Sequence, residues 1–216
     1  MARRTKAEAL ETRAQIIDAA EHVFHRKGVA RTSLNDIAQE AGVSRGAIYW
    51  HFKNKHDVFE AMLSRHRLPT ETLSQRAGDP DETDPLGRLR EVLVDALQRT
   101  VHDPGYRRVF EILFYKCEFT KDTDPLMSRV QESFLDSAAK MHRTLRNAIE
   151  RGQLPTTLNV DRAITLLHVQ MTGLLYTWLL LPDSFDLETE ATDFVDCYIA
   201  SLRQCPTMSG VPDGEH

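Results

Sequence analysis

The chain has 216 residues, room for one large or two small domains, and its 41% hydrophobic and 27% charged content is that of an ordinary soluble globular protein. Its net charge of −5 hides an asymmetry: residues 1–56 hold ten Lys and Arg against six Asp and Glu, and the remainder 17 against 26, so a basic head on an acidic body points to a polyanionic partner for the head. Met1 to Lys6 is basic but leads into a polar amphipathic stretch, not a secretory signal, and the longest apolar run, Gly173 to Leu181, is about half of a ~18-residue membrane span. Cys117, Cys197 and Cys205 lack metal-ligand or Cys-x-x-Cys spacing, so the expectation is a cytoplasmic protein with free core thiols and no membrane partner.

In chain order, Ile16, Ile17, Ala20, Val23 and Phe24 make the apolar stripe of a first helix, stopped by Gly28. Ser33 to Asp36 has the form of a capping box and opens a short helix that carries Leu34, Ile37, Ala38 and Ala41 inward. Gly42 ends that helix and Ser44 caps the next. Asn54, with Asp57 three residues on, caps a fourth helix from Lys55 to at least Leu68. Pro69 removes a backbone hydrogen bond there, so the helix kinks at 65–68 or ends. Gly78 to Pro85 reads as an acidic linker, followed by helices at about 86–102, 105–119, 125–151, 160–181 and 187–204. The expectation is an all-α fold of about nine helices. A head at 1–56 precedes a body at 57–205 and a flexible tail at 206–216.

The head carries the chemistry. Two short helices joined through Ala41-Gly42-Val43 match a helix-turn-helix, with Gly42 supplying positive φ and Val43 plugging the core. Ile48 and Phe52 face inward with Ala47. Gly46, Tyr49, Trp50 and Lys53 are left outside, with Arg45 at the edge of the first turn. A merely solvated helix would show Glu, Lys and Gln in those places. Arg45 is set to bind guanine O6 and N7 from the helix N-terminus, and Gly46 lets the backbone approach. Tyr49 suits a phosphate or a thymine methyl, and His51 a phosphate. Lys55 and the helix start behind it form an anion site, as do Thr32 and Ser33 at the preceding helix. Lys6, with Arg3 and Arg4, forms a basic arm. A protein-docking surface remains the alternative reading of the exposed aromatics.

The run from Thr32 to Ala38, and then from Ala41 to Lys55, resembles the N-terminal domain of TetR-family repressors. Ala2 to Lys6, Glu111 to Phe119 and Trp178 to Asp186 resemble its AcrR/TtgR-like branch, which represses multidrug efflux operons and responds to toxic aromatic or cationic compounds. The resemblance implies nine helices, a homodimer on a palindromic operator, and release from DNA when ligand binds. It also implies a cavity among the helices at 86–181.

Within that span, apolar stripes are interrupted by a few polar groups, as a small-molecule cavity is lined. The candidate ligand residues are Leu89, Leu93 and Ala96; Phe110, Glu111 and Phe114; Met141 and Leu145; and His168, Met171, Thr172, Leu175 and Tyr176. Plain core packing is the alternative for the Met and aromatic stripes, and pairing with Arg107 or Arg108 is the alternative for Glu111. Leu166, Leu167, Leu174 and Trp178, with Val195, Tyr198, Ile199 and Leu202, are the candidate dimer interface, two helices making half of a four-helix contact. Intrachain core is the alternative there.

The sequence has no His-Glu-x-x-His, nucleophile elbow or Gly-rich phosphate loop, and His22 and His25 lack a third metal ligand. The expectation is a non-enzyme without cofactor or metal. Its partners are double-stranded operator DNA, a small apolar, aromatic or cationic ligand, and a second copy. A DNA-binding regulator with no inducer is the rival, since pockets leave no short motif.

Overall fold

The computed structural model describes residues 6–118 and 124–204, apart from the side chains of 67–76 and 124–125. Nine helices make up its regular structure among these residues: α1 (Lys6–Lys27), α2 (Leu34–Glu40), α3 (Arg45–His51), α4 (Lys55–Ala77), α5 (Pro85–His102), α6 (Pro104–Tyr115), α7 (Asp124–Glu150), α8 (Val160–Leu180) and α9 (Leu187–Gln204). The predicted flexible tail, Cys205 and the basic Arg3 and Arg4 lie outside the described residues.

Local chemistry sets most boundaries. At α2, Ser33 Oγ accepts the Asp36 N–H and the Asp36 carboxylate accepts the Ser33 N–H, so the capping box is present. Ser44 Oγ accepts from Ala47 N–H at α3, and Asn54 Oδ1 from Asp57 N–H at α4. Gly28 and Gly42 both sit at positive φ, 81° and 64°, where a Cβ would be strained. Two boundaries differ from expectation. α6 stops at Tyr115, not 119, because the Lys116 carbonyl turns out of the helix and accepts the Val29 N–H at 2.8 Å. α4 does not end at Leu68; it is one 23-residue helix through position 69, long enough to forgo the bond a proline cannot make.

The chain divides into two compact units, and the divisions fall inside α4, between Leu68 and Pro69, and inside α7, between Gln131 and Glu132. The first unit holds α1–α3, the first part of α4, α6 and the start of α7. Its core is Ile16, Ala20 and Phe24 from α1, Ile37 and Ile48 from α2 and α3, Phe59 and Met62 from α4, and Ile112 from α6. Phe24 and Phe59 meet edge to face at 5.7 Å. The helix α6 therefore packs with the head, beyond the boundary at 56 that the sequence suggested. The second unit holds the rest of α4, α5, most of α7, α8 and α9. There α9 lies along α5 with Val195, Tyr198, Ile199 and Leu202 buried. The Arg90 guanidinium grips Asp196 through two bonds, 2.5 and 2.9 Å, and Tyr198 Oη donates to the Ala163 carbonyl at 3.0 Å. Burial pushes the Tyr198 hydroxyl above its ordinary range.

Candidate nucleic-acid interface

The second helix of the motif, α3, is seven residues long and buries one side chain completely, Ile48. Phe52, just past its end, is also in the core. The opposite face is open: Arg45 and Gly46 are exposed, Tyr49 is 50% exposed and Trp50 72%. An exposed indole and phenol beside a guanidinium are not a solvated face. The Arg45 guanidinium lies 5.7 Å from the Tyr49 ring, a cation–π contact that holds it over the same face. At Gly46 a Cβ would meet only Ser44 Oγ, at 3.9 Å. Among the described residues nothing demands glycine there, so the room in front of it is open to a partner.

The helix is aimed from behind. Gln15 of α1 donates Nε2–H to the Ala41 carbonyl at 2.9 Å, pinning the turn between α2 and α3, and the Arg13 guanidinium stacks on Phe52 at 5.1 Å. The sequence reading missed both residues, because nothing in a helical pattern says which loop carbonyl lies 26 positions away. A cavity of about 510 Å³ opens beside them, lined by Arg13, Ile17, Phe52, Glu60 and Arg65 among others. Of the candidate residues only His51 reaches it.

Four candidate DNA contacts are placed otherwise than expected. Thr32 is only 3% exposed and donates its hydroxyl to the Gly28 carbonyl at 2.7 Å, so it caps the turn and has no proton for a phosphate. Ser33 is exposed, but both its donors, N–H and O–H, go to Asp36. His51 is half-buried with its ring set edge-on to Trp50 at 4.5 Å. Lys55 Nζ donates to the carbonyls of Val29 at 2.7 Å and Ala30 at 2.9 Å, and burial lowers its pKa. It ties the start of α4 to the loop before α2. Lys6, at the first turn of α1, is exposed.

The candidate dimer residues divide. Val195, Tyr198, Ile199 and Leu202 are buried inside the second unit, and so is Leu167. These five are intrachain core, the alternative that sequence alone left open: α5 covers the four on α9, and Leu167 lies on α8, which also meets α9. Leu166 is exposed, and Leu174 and Trp178 are half-buried. What α8 leaves open is a different stripe: Leu166, Val169, Gly173, Tyr176 and Leu180, spaced alternately three and four. By length and composition α8 could also cross a membrane.

Of the candidate ligand residues, Leu89, Leu93, Leu145 and Leu175 are buried; Ala96, Met141, Met171 and Thr172 are half-buried; His168 and Tyr176 are exposed. His168 sets its ring edge-on to Phe134 at 4.2 Å. Those ten belong to the second unit, while Phe110, Glu111 and Phe114 belong to the first. Glu111 pairs with neither arginine suggested for it; its Oε2 lies 2.8 Å from His25 Nε2 on α1. Cys117 is half-buried, its thiol pushed up to about 11 by desolvation, and Cys197 is exposed, not a core thiol. Among the described residues no cluster of three or more His, Cys, Asp or Glu could hold a metal ion.

Two short helices across a tight glycine turn, with the second helix's outer face open and cationic, define a helix-turn-helix DNA-binding regulator. Residues 16–62 match the bacterial regulatory proteins of the tetR family, and residues 84–204 match the C-terminal region of MAATS-type transcriptional repressors. The chain belongs to the TetR family. It is 45% identical over 208 residues to the regulator TtgR of Pseudomonas putida, covering 96% of this chain and 99% of that one. It is 41% identical to AcrR of Shigella flexneri, over 96% and 97% of the two chains. Among solved structures, NalD, the secondary repressor of the MexAB-OprM multidrug efflux pump in Pseudomonas aeruginosa, superposes with TM-score 0.81 at 34% identity over 93% of this chain and all of that one. A SmeT–triclosan complex superposes with TM-score 0.83 at 32% identity, over 95% and 98%.

Proposed function

We propose that this regulator represses a multidrug efflux operon as a cytoplasmic homodimer, and that a small apolar, aromatic or cationic compound releases it from a palindromic operator. The observation that carries the DNA-reading part is the open face of α3. Arg45, Gly46, Tyr49 and Trp50 stand exposed on a helix whose other side is sealed by Ile48. Arg45 reads base edges from the N-terminal end of the helix, Gly46 admits the groove wall, and Tyr49 and Lys6 take phosphates. Trp50 lies against the sugar–phosphate rim.

Pairing rests on α8. A stripe spaced three and four is the seam two crossing helices interleave. A Cβ added at Gly173, the centre of the stripe, would meet nothing within 4 Å, and glycine mid-helix costs about 1 kcal/mol against alanine, a cost that close helix approach can offset. Covering by a second copy also accounts for the apolarity of α8 without a membrane. The efflux assignment rests on what the relatives repress, and the ligand class on the SmeT complex with triclosan. For the ligand, the contacts proposed are the half-buried Ala96, Met141, Met171 and Thr172 of the second unit, and the buried leucines there are packing.

The test is a two-way titration with triclosan and a duplex selected by the protein from a random pool. Triclosan lowers duplex affinity roughly 5- to 150-fold, and the duplex lowers triclosan affinity by the same factor, because linkage is reciprocal. Tight triclosan binding with both duplex constants unchanged would falsify release by this class of compound.

A further inference from the structure

One face of α1 meets α6 at successive turns, and its polar groups stand four residues apart, at 21, 25 and, just past the helix, 29. Glu21 Oε2 lies 3.6 Å from Arg108 Nη1, His25 Nε2 lies 2.8 Å from Glu111 Oε2, and Val29 N–H donates to the Lys116 carbonyl at 2.8 Å. The partners rise in the same order along α6, so the two helices run in the same sense and share three polar rungs. Val109 and Ile112 fill the space between them.

The first rung is unlike the others. Glu21 is 2% exposed, and besides Arg108 its carboxylate takes Arg65 and His66 from α4, the latter at 2.9 Å. Asp18 holds the other arm of Arg65 at 2.5 Å. A buried carboxylate is poor ground for stability, since apolar residues of like volume commonly hold such a site as well or better. What the charge supplies is direction: it is satisfied only when cations from two different helices converge on it. The opposite side of α6 carries Phe110 and Phe114, rings 5.9 Å apart.

We infer that Glu21 is a positioning residue for operator binding, locking α1 to α4 and α6 so that the head turns with those two helices. The inference rests on the dimeric operator reading proposed above.

The test compares a selected duplex carrying two half-sites with one carrying a single half-site, at low salt and well below melting. Glu21→Gln should weaken two-site binding about tenfold or more and leave single-site binding within about twofold, because each reading face is intact and only its orientation is freed. Arg108→Gln, at a side chain 26% exposed, should give the same selective loss and decides the matter if Glu21→Gln does not fold. Unchanged two-site binding, or equal loss on both duplexes, overturns the inference. A wild-type protein that binds the two duplexes alike overturns the dimeric reading itself, and that is seen before any substitution is made.

Discussion

A single charge on the open seam of α8 should split the dimer without unfolding the protomer. Val169 is 61% exposed, leaving roughly 90 Å² in water, and covering it contributes about 2 kcal/mol in each protomer. With Leu166, Tyr176 and Leu180 the seam amounts to roughly 350 Å² per copy, so a symmetric contact removes about 700 Å² and gains about 17 kcal/mol gross. Association costs about 4–15 kcal/mol of that. Val169→Glu forfeits both valine contributions and faces two carboxylates across the two-fold, a loss of about 4–5 kcal/mol or more, which raises the dimer dissociation constant at least about a thousandfold. Sedimentation equilibrium at low micromolar concentration should then find monomer with a nearly unchanged circular dichroism spectrum. Val195→Ala is the control: it opens a hole in the α5–α9 core, lowers stability by about 2 kcal/mol and leaves the protein dimeric. A dimeric Val169→Glu, or a folded monomeric Val195→Ala, would refute the assignment of the seam.

Arg45→Ala should cost about 1–3 kcal/mol on the selected duplex and relax base preference at one position of each half-site, read by competition with single-base variants; equal loss on scrambled DNA would remove Arg45 from base reading. Lys55→Met keeps the stem but drops two charged bonds to carbonyls, so it should lower unfolding free energy in urea by about 2 kcal/mol; a loss of DNA affinity with unchanged stability would return Lys55 to the phosphates. The Asp36 carboxyl is held well below its usual value by Lys27 and by the Ser33 hydroxyl and N–H. A carboxyl depressed on folding gives stability that is present above its unfolded pKa and drains away as pH falls through the folded one. Melting temperature should therefore fall below about pH 4 less steeply in Asp36→Asn than in the wild type, and parallel curves would mean the capping box carries no such linkage. With its thiol near 11, Cys117 should be alkylated by iodoacetamide at pH 8 far more slowly than exposed Cys197, as peptide mass mapping would register; comparable rates would contradict its burial.

The fold was legible wherever the information is local. Capping residues at Ser33, Ser44 and Asn54 and the turn at Gly42 depend on a residue and its next three or four neighbours. Boundaries read from them agree with the structure to a residue or two. The end of α6 was not legible, because what stops it is an N–H from Val29, brought there by tertiary packing. Nor was the membership of α6 in the head's unit, since no sequence pattern reports which of two bodies a helix lies against.

The site was legible to the same depth and failed for the same reason. On α3, one turn of buried residues fixes where the exposed ones must point, and Arg45, Gly46, Tyr49 and Trp50 fall where the period places them. Thr32 and Lys55 have the right chemistry for phosphate, but the Thr32 hydroxyl goes to the Gly28 carbonyl and two of the three Lys55 ammonium protons go to those of Val29 and Ala30, a competition visible only once the loop is folded. On α9 an apolar stripe announces that something covers it and is silent about what; α5 of the same chain takes that place. The remaining apolar stripe, on α8, was masked in the sequence by the helix being apolar nearly all round, which blurs any single face. Glu21 did leave a signal: a lone acid set among Ile17, Ala20 and Phe24 on a helix face that must be buried. A carboxylate there has to be met by cations from elsewhere in the chain, and Arg65, His66 and Arg108 are the ones that meet it.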